Sequence, residues 1–284
     1  MTLERSPRPV LVAGQADLPL PSGLHPVLRA ACTAAADAME RGQRGWGRAE
    51  LLAAVADGAD GTPTSRLDQL VEEAILEAVR PFRVNVLSEE CGFLDHGSAL
   101  TLMMDPVDGT GNAAAGLPLA TFTATLVNDG EHQEALTYWF ATMQSWHATR
   151  HGGAGLRSTG RRHLDGSFIS MIRPKGAADA FLTLARRADR ARVFGSSSLE
   201  AAWVTTGVLD AFVDAGTDTH RSVDLAAALV LAPAAGGAVI DAYGRSLAFS
   251  TEITARFSGI VAATEELAEE IAAVVRAAHP RSTT

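Results

Sequence analysis

Only two cysteines, Cys32 and Cys91, occur in the 284 residues, in unlike surroundings and outside any C-x-x-C or Cys/His ligand spacing. That excludes a disulfide framework and a zinc site of the usual kinds, and a reducing cytoplasm is the setting it leads one to expect. Long apolar runs are missing too. The run at residues 10–13 follows Arg5 and Arg8, but Gly14, Gln15 and Asp17 end it well short of a signal peptide or a membrane span, so no membrane association is expected. No Lys/Arg stripe with interleaved aromatics is present, and the net charge is −9, which argues against a nucleic-acid or anionic-membrane surface. Three familiar catalytic signatures are absent: G-x-x-x-x-G-K-[ST], a strand-linked G-x-G-x-x-G and the G-x-S-x-G elbow. With nucleotide-loop and serine-nucleophile chemistry set aside, the acids carry the interest.

The chain is long enough to bury a continuous core without staples. Pro7, Pro9, Pro19 and Pro21 make residues 1–22 a loose tail in expectation. Residues 23–150 then read as an α+β half and residues 151–284 as an α/β half. Leu24, Val27, Leu28, Ala31, Ala35 and Met39 recur at helical spacing, and Gly42, Gly45 and Gly47 are expected to end that helix. Residues 50–60 read as a strand or hairpin closing on Asp57-Gly58-Ala59-Asp60-Gly61. A second helix starts near Thr64 or Ser65, carries Leu67, Leu70, Val71, Ala74, Ile75 and Val79 on one face, and stops at Pro81.

Two short apolar runs at 84–87 and 100–104 each end in acids, Glu89 and Glu90 after the first and Asp105 after the second. Strand ends of this kind are where open α/β sheets bind ligands. An antiparallel sheet is expected from segments 121–127, 134–139 and 146–149, with Asn128-Asp129-Gly130 as a hairpin turn. Further along, helices are expected at 177–188, 198–206 and 224–232, and strands at 191–194, 211–213 and 238–240. Trp139, Trp146 and Trp203 sit in patterns that suit core packing.

The sharpest local feature is Asp105-Pro106-Val107-Asp108-Gly109-Thr110-Gly111-Asn112, directly after an apolar strand. Pro106 fixes its own φ and offers no N–H, while Gly109 and Gly111 let the chain turn tightly. Two carboxylates three residues apart can then face one point, and hard oxygen donors of that kind suit Mg²⁺. An Asx-type turn with one capping aspartate is the simpler alternative. Asp68 and Glu72, one helical turn apart, and Glu73 and Glu90 read by themselves as solvated acids; Asp224 reads as a helix N-cap, a ligand or both.

At this point the sequence resembles the inositol monophosphatase family, whose D-P-[IV]-D-G-[TS]-x-N pattern is met by Asp105 to Asn112. Ser88-Glu89-Glu90, Thr62-Pro63-Thr64 with Asp68, and Val223-Asp224-Leu225-Ala226-Ala227 followed by Gly236-Gly237 fit in the family's order. The likeness covers roughly residues 24–270, and Gly58 to Thr64, Asn85 to Glu90 and Val193-Phe194-Gly195 bring it nearest to the archaeal-type inositol monophosphatase/fructose-1,6-bisphosphatases. The resemblance implies a layered α-β-α-β-α sandwich, a homodimer, inhibition by Li⁺ and hydrolysis of a small phosphorylated substrate with two, or three, Mg²⁺ ions.

It further implies that Glu89, Asp105 and the Val107 carbonyl hold one ion, and that Asp105, Asp108 and Asp224 hold a second. Glu89 and Asp68 would serve a weaker third, and Thr110, oriented by Asp68, would position the attacking water. Gly109 and Thr110 would grip the phosphate through backbone N–H groups. Asp214 matches the family acid that meets a ring hydroxyl. Ser170, Ser196, Ser197, Arg173, Lys175, His220 and Arg221 stand in segments able to face the sugar, with Arg221 a partner for a second phosphate. The family's usual Trp before the last aspartate is Val223 here, and its Phe after the asparagine is Ala113, departures that imply a re-shaped pocket. A polyol, cyclitol or sugar phosphate is the leading substrate, with fructose 1,6-bisphosphate and 3′-phosphoadenosine phosphate as alternatives. A non-catalytic regulatory member is the reading from another class.

Overall fold

The computed structural model describes residues 18–279, so most of the expected tail, including residues 10–13, lies outside the described residues. Leu18 and Leu20, which that expectation included, are half-buried against the first core. Helix α1 (Pro26–Gly45) opens with the His25 side chain accepting from Val27 N–H. It runs straight through Gly42. A Cβ at that position would meet the Leu67 and Leu70 side chains at 3.0 and 3.2 Å, so this glycine lets two helices approach and stops neither.

The strand expected over 50–60 is divided. Glu50 belongs to a short helix α2 (Arg48–Leu51), where its carboxylate accepts from Gly47 N–H, and only β1 (Ala54–Asp57) is extended. It pairs antiparallel with β2 (Pro63–Ser65) around the expected turn. Helix α3 (Arg66–Val79) starts where expected, with Ser65 Oγ accepting from Asp68 N–H, and ends before a single 3₁₀ turn that holds Pro81.

The first sheet contains β3 (Asn85–Ser88), β4 (Gly92–Leu94), β5 (Leu100–Asp108), β6 (Thr121–Asn128), β7 (Glu131–Trp139) and β8 (Ser145–Thr149), in the order β4-β3-β5-β6-β7-β8. A short helix α4 (Thr110–Ala115) joins β5 to β6. The Asn128-Asp129-Gly130 hairpin forms as read, with φ of 50° at Asp129 and 81° at Gly130, the left-handed pair that matches the twist of the strands.

The second sheet has the order β10-β9-β11-β13-β12. Its strands are β9 (Phe168–Met171), β10 (Arg190–Arg192), β11 (Ala211–Val213), β12 (Ala238–Asp241) and β13 (Gly259–Ala262). With them come helices α5 (Ala178–Arg187), α6 (Ser197–Thr205), α7 (Ser222–Ala226), α8 (Ala228–Ala234) and α9 (Glu265–Ala278). The helix expected over 224–232 thus begins earlier and breaks at Ala227. Strands β9 and β13 and helix α9 had no counterpart in the sequence reading. The two strands are four residues long and almost wholly buried, so they show no alternation to read.

The layers follow from which faces are apolar. Helices α1 and α3 cover one face of the first sheet around Leu28, Met39, Ile75 and Phe122. Helices α6, α7 and α8 lie between the two sheets, where Trp139 stacks on Trp146 and meets Trp203 edge-on, the packing role expected of all three. Helices α5 and α9 close the outer face of the second sheet with Leu184, Leu267, Ile271 and Val275. This is the α-β-α-β-α sandwich. Because Leu28 of α1 is fully buried in the first core, Leu28→Ala should cost about 2–5 kcal/mol, read as a lower urea midpoint at unchanged slope.

Candidate active site

Register puts the first acids together. Strands β3 and β5 are parallel with Ser88 opposite Met104, so the next residues, Glu89 and Asp105, come side by side. Strand β5 does not stop at Met104 as expected but continues through the acids. Its pairing with β6 jumps from Asp105↔Thr123 to Asp108↔Thr121, a bulge at Val107 and at Pro106, which has no N–H, that brings the second aspartate onto the same rim. At Gly109, φ is 88° and a Cβ would stand 2.6 Å from the Leu119 carbonyl, so no other residue fits the exit. Helix α7, from the other half of the chain, packs on β5 and adds Asp224.

Each acid has a defined partner set. Asp105 Oδ1 accepts from Val107 N–H at 3.0 Å, so the Asx-type turn is realised, while Oδ2 is left over. Burial first, and then the nearby Asp108, Asp224 and Asp68, push its carboxyl well above the usual range. Burial also raises Asp108, against the pull of its donors: Ser196 Oγ at 2.8 Å and both N–H and Oγ of Ser198 at 2.6 Å, all on Oδ2. Asp68 and Thr110 meet across 42 residues of sequence, Thr110 Oγ1 lying 2.7 Å from Asp68 Oδ1 and 2.8 Å from the Val107 carbonyl. With one proton, that hydroxyl serves one acceptor at a time. Burial raises Asp68 as well.

Asp224 is not an N-cap. It sits at the third position of α7 and its carboxylate reaches back to Arg221 N–H at 2.7 Å. The Arg221 side chain follows the same path into the acids, with Nη1 2.9 Å from Asp60 Oδ2 and touching Glu89 Oε2, and Nη2 3.2 Å from Asp224 Oδ1. Its expected role as partner of a second phosphate is therefore not what this conformation displays. Every side-chain bond it makes here goes to a carboxylate.

In the sequence Asp60 reads only as a turn residue. Its turn is docked on the acids by Asp60 N–H to Glu89 O at 3.1 Å, and Arg256 Nη2 donates to its carbonyl at 2.8 Å. Burial pushes the Asp60 carboxyl up, but the Thr62 hydrogen bonds and Arg221 outweigh that and hold it below the usual range.

Two of the acids read as solvated are not. Glu72 is buried and accepts from Cys91 N–H; Glu90 is half-buried, bonded to Thr64 Oγ1, and burial lifts it to about 7. Glu73 is exposed as expected.

The donor chemistry fits a hard divalent cation. Glu89, Asp105, Asp108 and Asp224 are buried oxygen donors on one rim, and among the described residues neither Asp105 nor Asp108 has an ion-pair partner. As they stand, no three carboxylates among the described residues converge at ligand spacing, with the Arg221 guanidinium lying between Glu89 and Asp224.

The other substrate-facing candidates are distributed differently. Asp214 is fully buried and accepts from Gly216 N–H, both donors of Thr217 and Thr219 N–H, so in this conformation it shapes the 214–221 loop. Ser170 is buried in β9, and His220 is buried with Nδ1 accepting from Gly259 N–H. Ser196 faces Asp108, while Arg173 and Lys175 are exposed. Val223 packs with Leu87, Met103 and Val127 under the acids. Ala113 opens a 350 Å³ groove lined by Met39, Leu51, Ala114, Leu117 and Trp139, which none of the acids lines. The bulk missing at Ala113 therefore alters the far side of α4.

Sequence reasoning also passed over the supports of Asp108. Asn112, the last motif residue, donates to the Phe194 and Gly195 carbonyls at 2.8 and 3.1 Å. The buried Glu200 accepts from Gly195 and Ser196 N–H at 2.9 and 3.2 Å. Together they fix the loop whose serines hold Asp108. A serine triplet followed by a glutamate on a helix that is otherwise apolar, as at 196–200, is the unused signal for Glu200.

The sequence matches the inositol monophosphatase family model over residues 23–279. It is 30% identical over 229 residues to a fructose-1,6-bisphosphatase/inositol-1-monophosphatase of Methanocaldococcus jannaschii, covering 80% of this chain and 90% of that one. A protein of the same description from Thermococcus kodakarensis is 31% identical over 225 residues, covering 76% and 84%. The fold matches the crystal structure of an inositol monophosphatase-fructose 1,6 bisphosphatase with a TM-score of 0.76 at 27% identity, covering 85% and 96%.

Burial lifts Glu200 from 4.5 to about 7, so the folded chain holds this proton more tightly than the unfolded one does. The stability it contributes is complete below about pH 4.5 and is lost as pH rises through about 7. Glu200→Gln should therefore show a smaller fall in melting temperature between pH 5 and pH 8 in chelator than the wild type. Equal falls in the two proteins would refute this assignment.

Proposed function

The chain belongs to the inositol monophosphatase family, and on that premise we propose that it hydrolyses the phosphomonoester of a small polyol, cyclitol or sugar with Mg²⁺ as cofactor. The observation that carries the reading is the rim of buried carboxylates at the ends of β3 and β5, with Asp105 and Asp108 free of ion pairs among the described residues. Carboxylates crowded in this way raise one another's pKa until a divalent cation compensates them.

In this proposal Glu89, Asp105 and the Val107 carbonyl hold one ion and Asp105, Asp108 and Asp224 a second, with Asp68 and Glu89 beside a third. The chemistry such ions supply when bound is activation of a water and neutralisation of charge on the phosphoryl and leaving oxygens. The chain's own part is positioning. Ser196 and Ser198 occupy one oxygen of Asp108 and thereby aim the other at the site. Thr110, held by Asp68, orients the water, and the backbone N–H groups of Gly109 and Thr110 take the phosphate. The homodimer belongs to the same proposal on family resemblance, and the cytoplasmic setting on the absence of a cysteine framework.

Phosphate release from inositol 1-phosphate, fructose 1,6-bisphosphate, 3′-phosphoadenosine phosphate and assorted sugar phosphates, with Mg²⁺ and with EDTA, tests the reading. Release that needs Mg²⁺ is expected from at least one compound. Asp108→Asn should lower kcat/KM more than about 100-fold with the fold intact, beyond the loss usual for groups that only support a ligand. Glu90→Gln, which keeps an acceptor for Thr64, should retain most activity. Wild-type rates in Asp108→Asn would sink the mechanism, and silence from every compound would favour the non-catalytic reading.

A further inference from the structure

We propose that Arg221 is a positioning residue, a tethered cation that holds Asp60, Glu89 and Asp224 together and gives up its place to the divalent ion. The inference rests on the metal reading of the same carboxylates. Three acids from three separate parts of the chain meet at this one guanidinium: Asp60 from the β1–β2 turn, Glu89 from the end of β3 and Asp224 from α7. Nε adds a further contact to Asp224 Oδ2 at 3.3 Å. Asp105 and Asp108 are not among its partners. The side chain thus compensates one half of the rim and leaves the other half uncompensated.

Competition follows from the atoms involved. Arg221 engages one oxygen of Glu89 and both of Asp224, and a divalent ion on the same carboxylates would face the guanidinium at close range with strong repulsion. The guanidinium must therefore leave as the ion arrives. The surroundings permit this. Its side chain is 21% exposed, so it is not sealed into the core. Asp60 keeps partners after the exchange, since Thr62 N–H and Oγ1 bind Oδ1 at 2.8 and 2.7 Å and Arg256 remains 3.4 Å from Oδ2. No buried carboxylate is abandoned, because Glu89 and Asp224 exchange one positive partner for another.

A residue that merely supports the fold would weaken metal binding when removed, whereas a competitor strengthens it. The test is isothermal titration calorimetry with MgCl₂ on chelator-stripped wild type, Arg221→Met and Arg221→Lys, with melting temperatures recorded before and after saturation. Arg221→Met should bind Mg²⁺ about tenfold more tightly than wild type and melt lower when stripped, the gap closing on saturation. Arg221→Lys keeps a charge but cannot span three acids, so it should fall between the two, and it keeps the comparison available if the methionine variant does not fold. Mg²⁺ affinity that is unchanged or lower in the variants overturns the inference alone. Mg²⁺ uptake by none of the three proteins overturns the metal reading and the inference with it.

Discussion

Crowding of carboxylates on one buried rim is the constraint around which the rest of this structure is arranged. Glu89, Asp105, Asp108 and Asp224 are all withdrawn from water, and the charges of Asp108 and Asp224 raise the cost of ionising Asp105. A fold gains nothing from such an arrangement in itself. It is tolerable because a fixed set of donors and one arginine compensate the charges in part, and in the proposed function the uncompensated remainder is what draws a divalent cation. The two halves of the rim are treated differently, with Asp108 saturated on one oxygen by hydroxyl and amide donors while Glu89 and Asp224 face a guanidinium.

That constraint explains choices that otherwise look unrelated. Pro106 and the bulge displace the ladder so that two aspartates of one strand reach the rim, and Gly109 removes the side chain that would strike Leu119. Ser198 serves Asp108 and also meets Thr121 Oγ1 at 2.6 Å, tying α6 to the first sheet at the same point. Asn112 and Glu200 pin the loop between them from opposite sides. The consequence for catalysis is pre-organisation: the groups that orient the acids are held by packing and hydrogen bonds, so little rearrangement is left to the moment of reaction.

The same geometry separates two kinds of departure from the family pattern. Val223 lies beneath the acids among Leu87, Met103 and Val127, where smaller bulk is absorbed by the core. Ala113 lines a groove on the other face of α4 that none of the acids borders. The 214–221 loop is tied down by Asp214, which accepts from its backbone, and it delivers Arg221 to the rim.

Local chemistry determined a good deal from the sequence alone. The Asp105–Asn112 segment, the Ser65 start of α3, the Asn128-Asp129-Gly130 hairpin and the exact span of β11 were legible, because turn residues, caps and apolar runs act over a few positions. The layered fold and the family were legible through the order of these segments. Tertiary structure alone decided which acids are buried and who partners them. Glu72 and Glu90 read as solvated acids, yet Cys91 N–H and Thr64 Oγ1 reach them from 19 and 26 positions away. The physical reason is that the charge state and orientation of a carboxylate depend on burial and on donors brought from elsewhere in the chain, as Arg221 and Asp60 meet across 161 positions, and no local pattern encodes that meeting.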